Sequence, residues 1–95
     1  MRILGIDPGI AIVGWGVVDF ERSTLRAVDY GSITTTPDMT IESRIAAVYH
    51  GMQNLFDAFH PDAMAVEELF FNTNQKTGII VAEARGVILL SAVEA

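Results

Sequence analysis

Residues 1 to 9 read MRILGIDPG, a short apolar run that ends on a lone carboxylate, Asp7, and is then broken by Pro8-Gly9. Arg2 to Asp7 has the length of a strand, and proline followed by glycine is a strong turn signal. The reading therefore predicts Asp7 at the carboxyl end of a first strand. Because side chains alternate across a strand, Ile3, Gly5 and Asp7 share one face while Leu4 and Ile6 share the other. Asp7 rises from a face whose preceding position carries only a hydrogen. Two roles stay open for it here: a functional carboxylate at a sheet end, or a turn starter that accepts a backbone N–H.

Outward from this stretch, Ile10 to Phe20 is a second apolar run with Gly14 and Gly16 on either side of Trp15, read as a buried strand with thin positions. Asp19 to Thr24 (DFERST) is a charged turn. Leu25 to Thr36 is a third strand rich in β-branched and aromatic residues, closed by Pro37. Short connections between the three predict an antiparallel meander. Thr40 then offers an N-cap with Glu42 in the first turn, and Ile41, Ile45, Val48, Tyr49, Met52, Leu55, Phe56 and Phe59 follow a helical period. His60-Pro61 ends this helix, since the residue before proline disfavours helical geometry. His50 and His60 lack partners at metal-ligand spacing and read as structural.

Asp62 to Phe71 (DAMAVEELFF) reads as a fourth strand entered from a helix, which is how a parallel strand is reached. Parity separates its two adjacent acids. Ala63, Ala65 and Glu67 fall on one face; Met64, Val66 and Glu68 fall on the other. If this strand lies parallel beside the first, Glu67 and Asp7 share a face on strands roughly 4.8 Å apart, within reach of one metal ion. Glu68 is then the solvated or salt-bridged acid. Asn72 to Thr77 (NTNQKT) is a polar connection, and from about Gln75 a helix is predicted through Ile79, Ile80, Glu83, Val87 and Leu90, with Gly86 admitting another backbone. Ser91 to Ala95 has no glycine cap, basic last turn or terminating proline, and reads as a cut end.

Ninety-five residues suit one domain with one modest core. The chain is 51% hydrophobic and 19% charged, so it reads as globular. Its net charge of −6 is the wrong sign for a generic binder of phosphate backbones. No cysteine is present, which leaves neither disulfides nor thiolate metal sites and fits a cytosolic protein. Gly9 to Val18 is too short to span a bilayer, and a cytoplasmic location without membrane association is expected.

Three blocks in this order, GIDPG at Gly5 to Gly9, AVEELFFNTN at Ala65 to Asn74 and EARGVILL at Glu83 to Leu90, resemble the RuvC family of bacterial Holliday-junction resolvases in the RNase H-like superfamily. The similarity covers essentially the whole chain. It implies an α/β fold with an RNase H-like mixed sheet: three antiparallel strands, a helix, a parallel fourth strand and a second helix. A fifth strand and a C-terminal helix would be missing, so residues 1–95 are expected to form a truncated RuvC-type nuclease domain.

The family's site uses four carboxylates, and the resemblance assigns Asp7 and Glu67 as two of them, both catalytic and metal-binding. The other two are aspartates on the missing helix. Phe70 matches an aromatic placed at the junction crossover, where a ring can stack on or wedge between bases; ordinary packing beside Phe71 is the other reading. Asn72, Asn74 and Lys76 in and after the same loop are further DNA-binding candidates. The resemblance also implies Mg²⁺, with Mn²⁺ as substitute, a homodimer that cuts two strands of a four-way DNA junction symmetrically, and RuvA and RuvB as partners in recombination and repair. This chain alone is expected to be incomplete and inactive.

Three other readings compete. One is a RuvC-like RNA-processing nuclease and another is a non-catalytic dimerising core. The third is half of a sugar-kinase or actin-like ATPase, which usually places Ser or Thr where Ile10 stands.

Overall fold

A computed structural model describes residues 1–68 and 75–95. Its elements in chain order are β1 (Arg2–Asp7), β2 (Ile12–Glu21), β3 (Thr24–Thr34), α1 (Ile41–Phe59), β4 (Ala63–Val66) and α2 (Gln75–Glu94). The strands form one sheet in the order β3-β2-β1-β4. β1 pairs antiparallel with β2 and β2 with β3, while β4 lies parallel to β1. This is the α/β arrangement expected: an antiparallel meander, then a helical crossover to a parallel edge strand.

The β2–β3 turn is tighter than DFERST suggests. Only Arg22 (φ 51°) and Ser23 (φ 65°) leave the strands, both in the left-handed region that a two-residue primed hairpin turn demands. Asp19 to Glu21 accordingly stay in the ladder, and Asp19 meets Arg2 across it. α1 starts where Thr40 predicts, its hydroxyl accepting the Ser43 N–H at 3.1 Å. It ends as His60 turns left-handed and donates its N–H to Phe56. β4 is shorter than the predicted Asp62 to Phe71: pairing to β1 covers Ala63 to Val66, and the remainder reaches beyond the described residues.

Leu4, Ile6, Val13 and Val17 on one sheet face pack with Val48, Met52 and Leu55 of α1 and Ile88 of α2. Both helices therefore cover the face opposite Asp7. Gly51 sets how closely α1 can lie, since a Cβ there would come within 2.7 Å of Ile33 on β3.

α2 forms where the helical run predicts it, and packing selects its buried face. Ala84, Ile88 and Ser91 turn inward, whereas Ile79 is 61% and Leu90 53% exposed. Gly86 meets nothing within 4 Å among the described residues, so none of these makes the expected close approach. The physical reason is that α2 is apolar on all sides, so helical period cannot choose its inner face. The small residues Ala84 and Ser91 share the buried face with Ile88, while Ile79, Leu89, Leu90 and Val93 are left outside. Among the described residues no helix is long and apolar enough to cross a membrane.

Candidate active site

Asp7 is the last residue of β1, and the next residue, Pro8, has no N–H with which to continue the ladder. On one side it faces Gly14 of β2. On the other, the β1–β4 register pairs Gly5 with Ala65 and Ile6 with Val66. The Glu67 N–H donates to the Ile6 carbonyl at 3.1 Å, which carries that register one residue past β4. Glu67 therefore sits beside Asp7 on the exposed face, and Met64 and Val66 pack on the core face, as alternation predicts.

The two carboxyl groups approach within hydrogen-bonding reach of each other. A hydrogen bond shared with Asp7 pushes the Glu67 carboxyl above the usual carboxylate range, and charge repulsion from Asp7 and a small loss of hydration add to the rise. Arg85 of α2 donates to the Glu67 carbonyl at 3.3 Å, tying the helix to this strand end. The floor next to the pair is low. Gly14 stands opposite Asp7, with Gly5, Gly16 and Ala65 on the neighbouring rung of the same face.

Two like charges held together and open to water form an arrangement that a divalent cation relieves, and carboxylate oxygens are the donors such hard cations prefer. The donor set fits a cation in kind and falls short in number: among the described residues no group of three or more His, Cys, Asp or Glu side chains converges. Glu68 is exposed and enters neither of the ion pairs formed between described side chains. His50 is exposed and His60 serves as the helix cap. Phe70, Asn72 and Asn74 lie outside the described residues, and so does the side chain of Lys76 on the first turn of α2.

One cluster near the site has no local signature in the sequence. Thr35, which follows β3 and is buried, accepts a hydrogen bond from Arg44 Nε at 3.0 Å and donates its hydroxyl to the Ile10 carbonyl. Its own N–H donates to the Ala11 carbonyl at 2.9 Å. Ile10 and Ala11 belong to the loop that carries the chain away from Asp7. Bonds between residues so distant in sequence appear only once the sheet has formed.

Residues 3–95 match the family model described as "Crossover junction endodeoxyribonuclease RuvC". A Brevibacillus brevis protein of that description is 55% identical over 92 residues, covering 97% of this chain and 55% of that relative. One from Alkaliphilus oremlandii is 47% identical, with coverages of 97% and 56%. Thermus thermophilus RuvC, solved in complex with a Holliday junction substrate, superimposes with a TM-score of 0.88 at 31% identity, covering 99% of this chain and 59% of that one. The chain thus spans about half the length of the curated relatives it matches.

Proposed function

Because this chain belongs to the RuvC family, we propose that it supplies two acidic ligands of a metal-dependent endodeoxyribonuclease that resolves four-way DNA junctions in recombination and repair. The observation that carries this reading is the convergence of the Asp7 and Glu67 carboxyl groups on the open sheet face. Asp7 and Glu67 would hold Mg²⁺, or Mn²⁺ in its place. When bound, such a cation supplies a water acidic enough to act as nucleophile near neutral pH and neutralises charge gathering on the phosphate.

The chain's own residues do the positioning. Asp7 and Glu67 fix their oxygens through the β1–β4 ladder, a rigid support for a site that tolerates little error. Gly14 leaves the floor beside Asp7 without a side chain, so a bulky phosphodiester can come close. With a net charge of −6, this part of the protein gives little attraction to DNA of its own. Phe70, Asn72, Asn74 and Lys76 remain the DNA contacts proposed here.

Symmetric cutting of two strands calls for two sites, hence the proposed homodimer. Support for it comes from α2, where Ile79, Gly86, Leu90 and Val93 recur at seven, four and three residues along the outer face, and Val93 is 83% exposed. An apolar stripe of this kind suits a second copy of the helix. A cytoplasmic location and action together with RuvA and RuvB complete the proposal.

The test uses a protein that carries this chain at the full length of its relatives. With Mg²⁺ it should cut a synthetic four-way DNA junction, leaving 5′-phosphate ends, in preference to linear duplex and to RNA. Preference for a structured RNA would favour the RNA-processing alternative, and no cleavage of any substrate would favour the non-catalytic core.

A further inference from the structure

Building on the reading of Asp7 and Glu67 as a cation site, we propose that Thr35 and Arg44 are positioning residues for it, acting through the loop of residues 8–11. Thr35 is 5% exposed, so its polar groups must find partners inside the protein. Its N–H donates to Ala11 and its hydroxyl to Ile10, and one side chain with its backbone thus holds two consecutive carbonyls of the loop. A hydroxyl has a single proton, and a carbonyl can only accept. The proton therefore goes to Ile10, and whatever meets the hydroxyl from the other side has to be a donor. Arg44 Nε is that donor, at 3.0 Å.

Arg44 has its own anchor, because its backbone N–H donates to Thr40 in the first turn of α1 at 2.9 Å. Arg44 thus donates twice, to Thr40 through its backbone and to Thr35 through its side chain, and Thr35 donates in turn to the loop, which links the helix start to residues 10 and 11. The loop has little slack to absorb a change. Pro8 is buried and has no N–H to donate, and Gly9 lies so near Ile12 that a Cβ there would be 2.1 Å from its carbonyl oxygen. Asp7 is three residues from Ile10 along this tight path. Losing the Thr35 hydroxyl strands both the Ile10 carbonyl and the Arg44 Nε–H, and the loop regains partners only by shifting toward water. A shift there moves the backbone that aims Asp7 at Glu67.

Two substitutions separate the hydroxyl from the bulk of the side chain. Thr35→Val keeps the volume and removes the bond; Thr35→Ser keeps the bond and removes a methyl group. Each is made in the 95-residue chain, with a melting curve to establish that it is folded. Amide ¹⁵N relaxation is then measured over residues 7–12 without metal, followed by titration with Mn²⁺ to record paramagnetic broadening at the amides of Asp7 and Glu67.

For Thr35→Val, the order of Gly9 to Ala11 should fall, and the Mn²⁺ needed for half-broadening should rise by roughly tenfold, as for loss of an outer-shell support. Thr35→Ser should stay within about twofold of wild type by the same measure. If Thr35→Val does not fold, Arg44→Gln carries the test with an effect in the same direction. A folded variant with unchanged loop order and unchanged Mn²⁺ response overturns the positioning role and leaves the cation site standing. An equal loss in Thr35→Ser also overturns it, because packing would then be responsible. A wild-type chain without localised broadening at Asp7 and Glu67 overturns the cation site, and this inference falls with it.

Discussion

The backbone N–H of Glu67 donates to the carbonyl of Ile6 at 3.1 Å, one residue beyond the last paired position of β4. That bond extends the parallel ladder to the rung of Asp7, and the alternation of the strands puts both carboxyl groups on the same side. The pair is therefore held by main-chain bonds, whatever its side chains do.

Holding two acids together gives folding a distinctive pH dependence. The Glu67 carboxyl is raised above its ordinary value of 4.5, so the folded state binds more protons than the unfolded state just above that pH. Stability attributable to Glu67 is full below the ordinary value and declines as pH rises through the raised one. Without metal, melting curves should show this decline, and Glu67→Gln should remove it and raise the melting temperature at neutral pH. A neutral-pH melting temperature lower in Glu67→Gln than in wild type would contradict the like-charge contact.

At the opposite end of β1 the sign reverses. Arg2 grips Asp19 with two hydrogen bonds, at 2.8 and 3.0 Å, and Arg26 adds a third at 3.3 Å. The bond from Arg2 is the main reason that the Asp19 carboxyl is lowered from 3.8 to about 2. Its stabilisation is present above pH 3.8 and is lost as pH falls toward 2. Acid melting series should show that Asp19→Asn removes this part of the acid sensitivity while leaving the Glu67-dependent part above it unchanged.

The inner face of α2 can be tested by truncating two neighbours. Ile88 is fully buried in the core cluster, whereas Leu90 is 53% exposed. Ile88→Ala should cost about 2–5 kcal/mol in urea unfolding, and Leu90→Ala should stay within about 0.5 kcal/mol for the monomer. In the full-length protein, Leu90→Glu should weaken self-association measured by sedimentation. Equal costs for the two alanine variants would reject the observed orientation of the helix.

What could be read from the sequence was decided by local chemistry. Pro8 ends β1 at Asp7, Thr40 and His60-Pro61 bracket α1, and strict alternation selects Glu67 over Glu68 without any knowledge of distant contacts. The face of α2 could not be read, because Ile79, Ile80, Val87, Ile88 and Leu90 offer apolar surface all round and only packing against α1 chooses among them. Nor could Thr35: its bonds reach Ile10 and Arg44, 25 and 9 residues away, and look like nothing until β2 and β3 pair. Gly51 is similar, an unremarked glycine in mid-helix whose reason is the Ile33 side chain beneath it.

The most direct test of the central claim is junction cleavage by the full-length protein with Asp7→Asn, a change that keeps shape and removes charge. Loss of an acidic ligand that supports metal-assisted hydrolysis should cost several kcal/mol of transition-state stabilisation, a fall in single-turnover rate of about a thousandfold or more, while junction affinity stays within about threefold. Cleavage by Asp7→Asn within about tenfold of the wild-type rate would contradict the account.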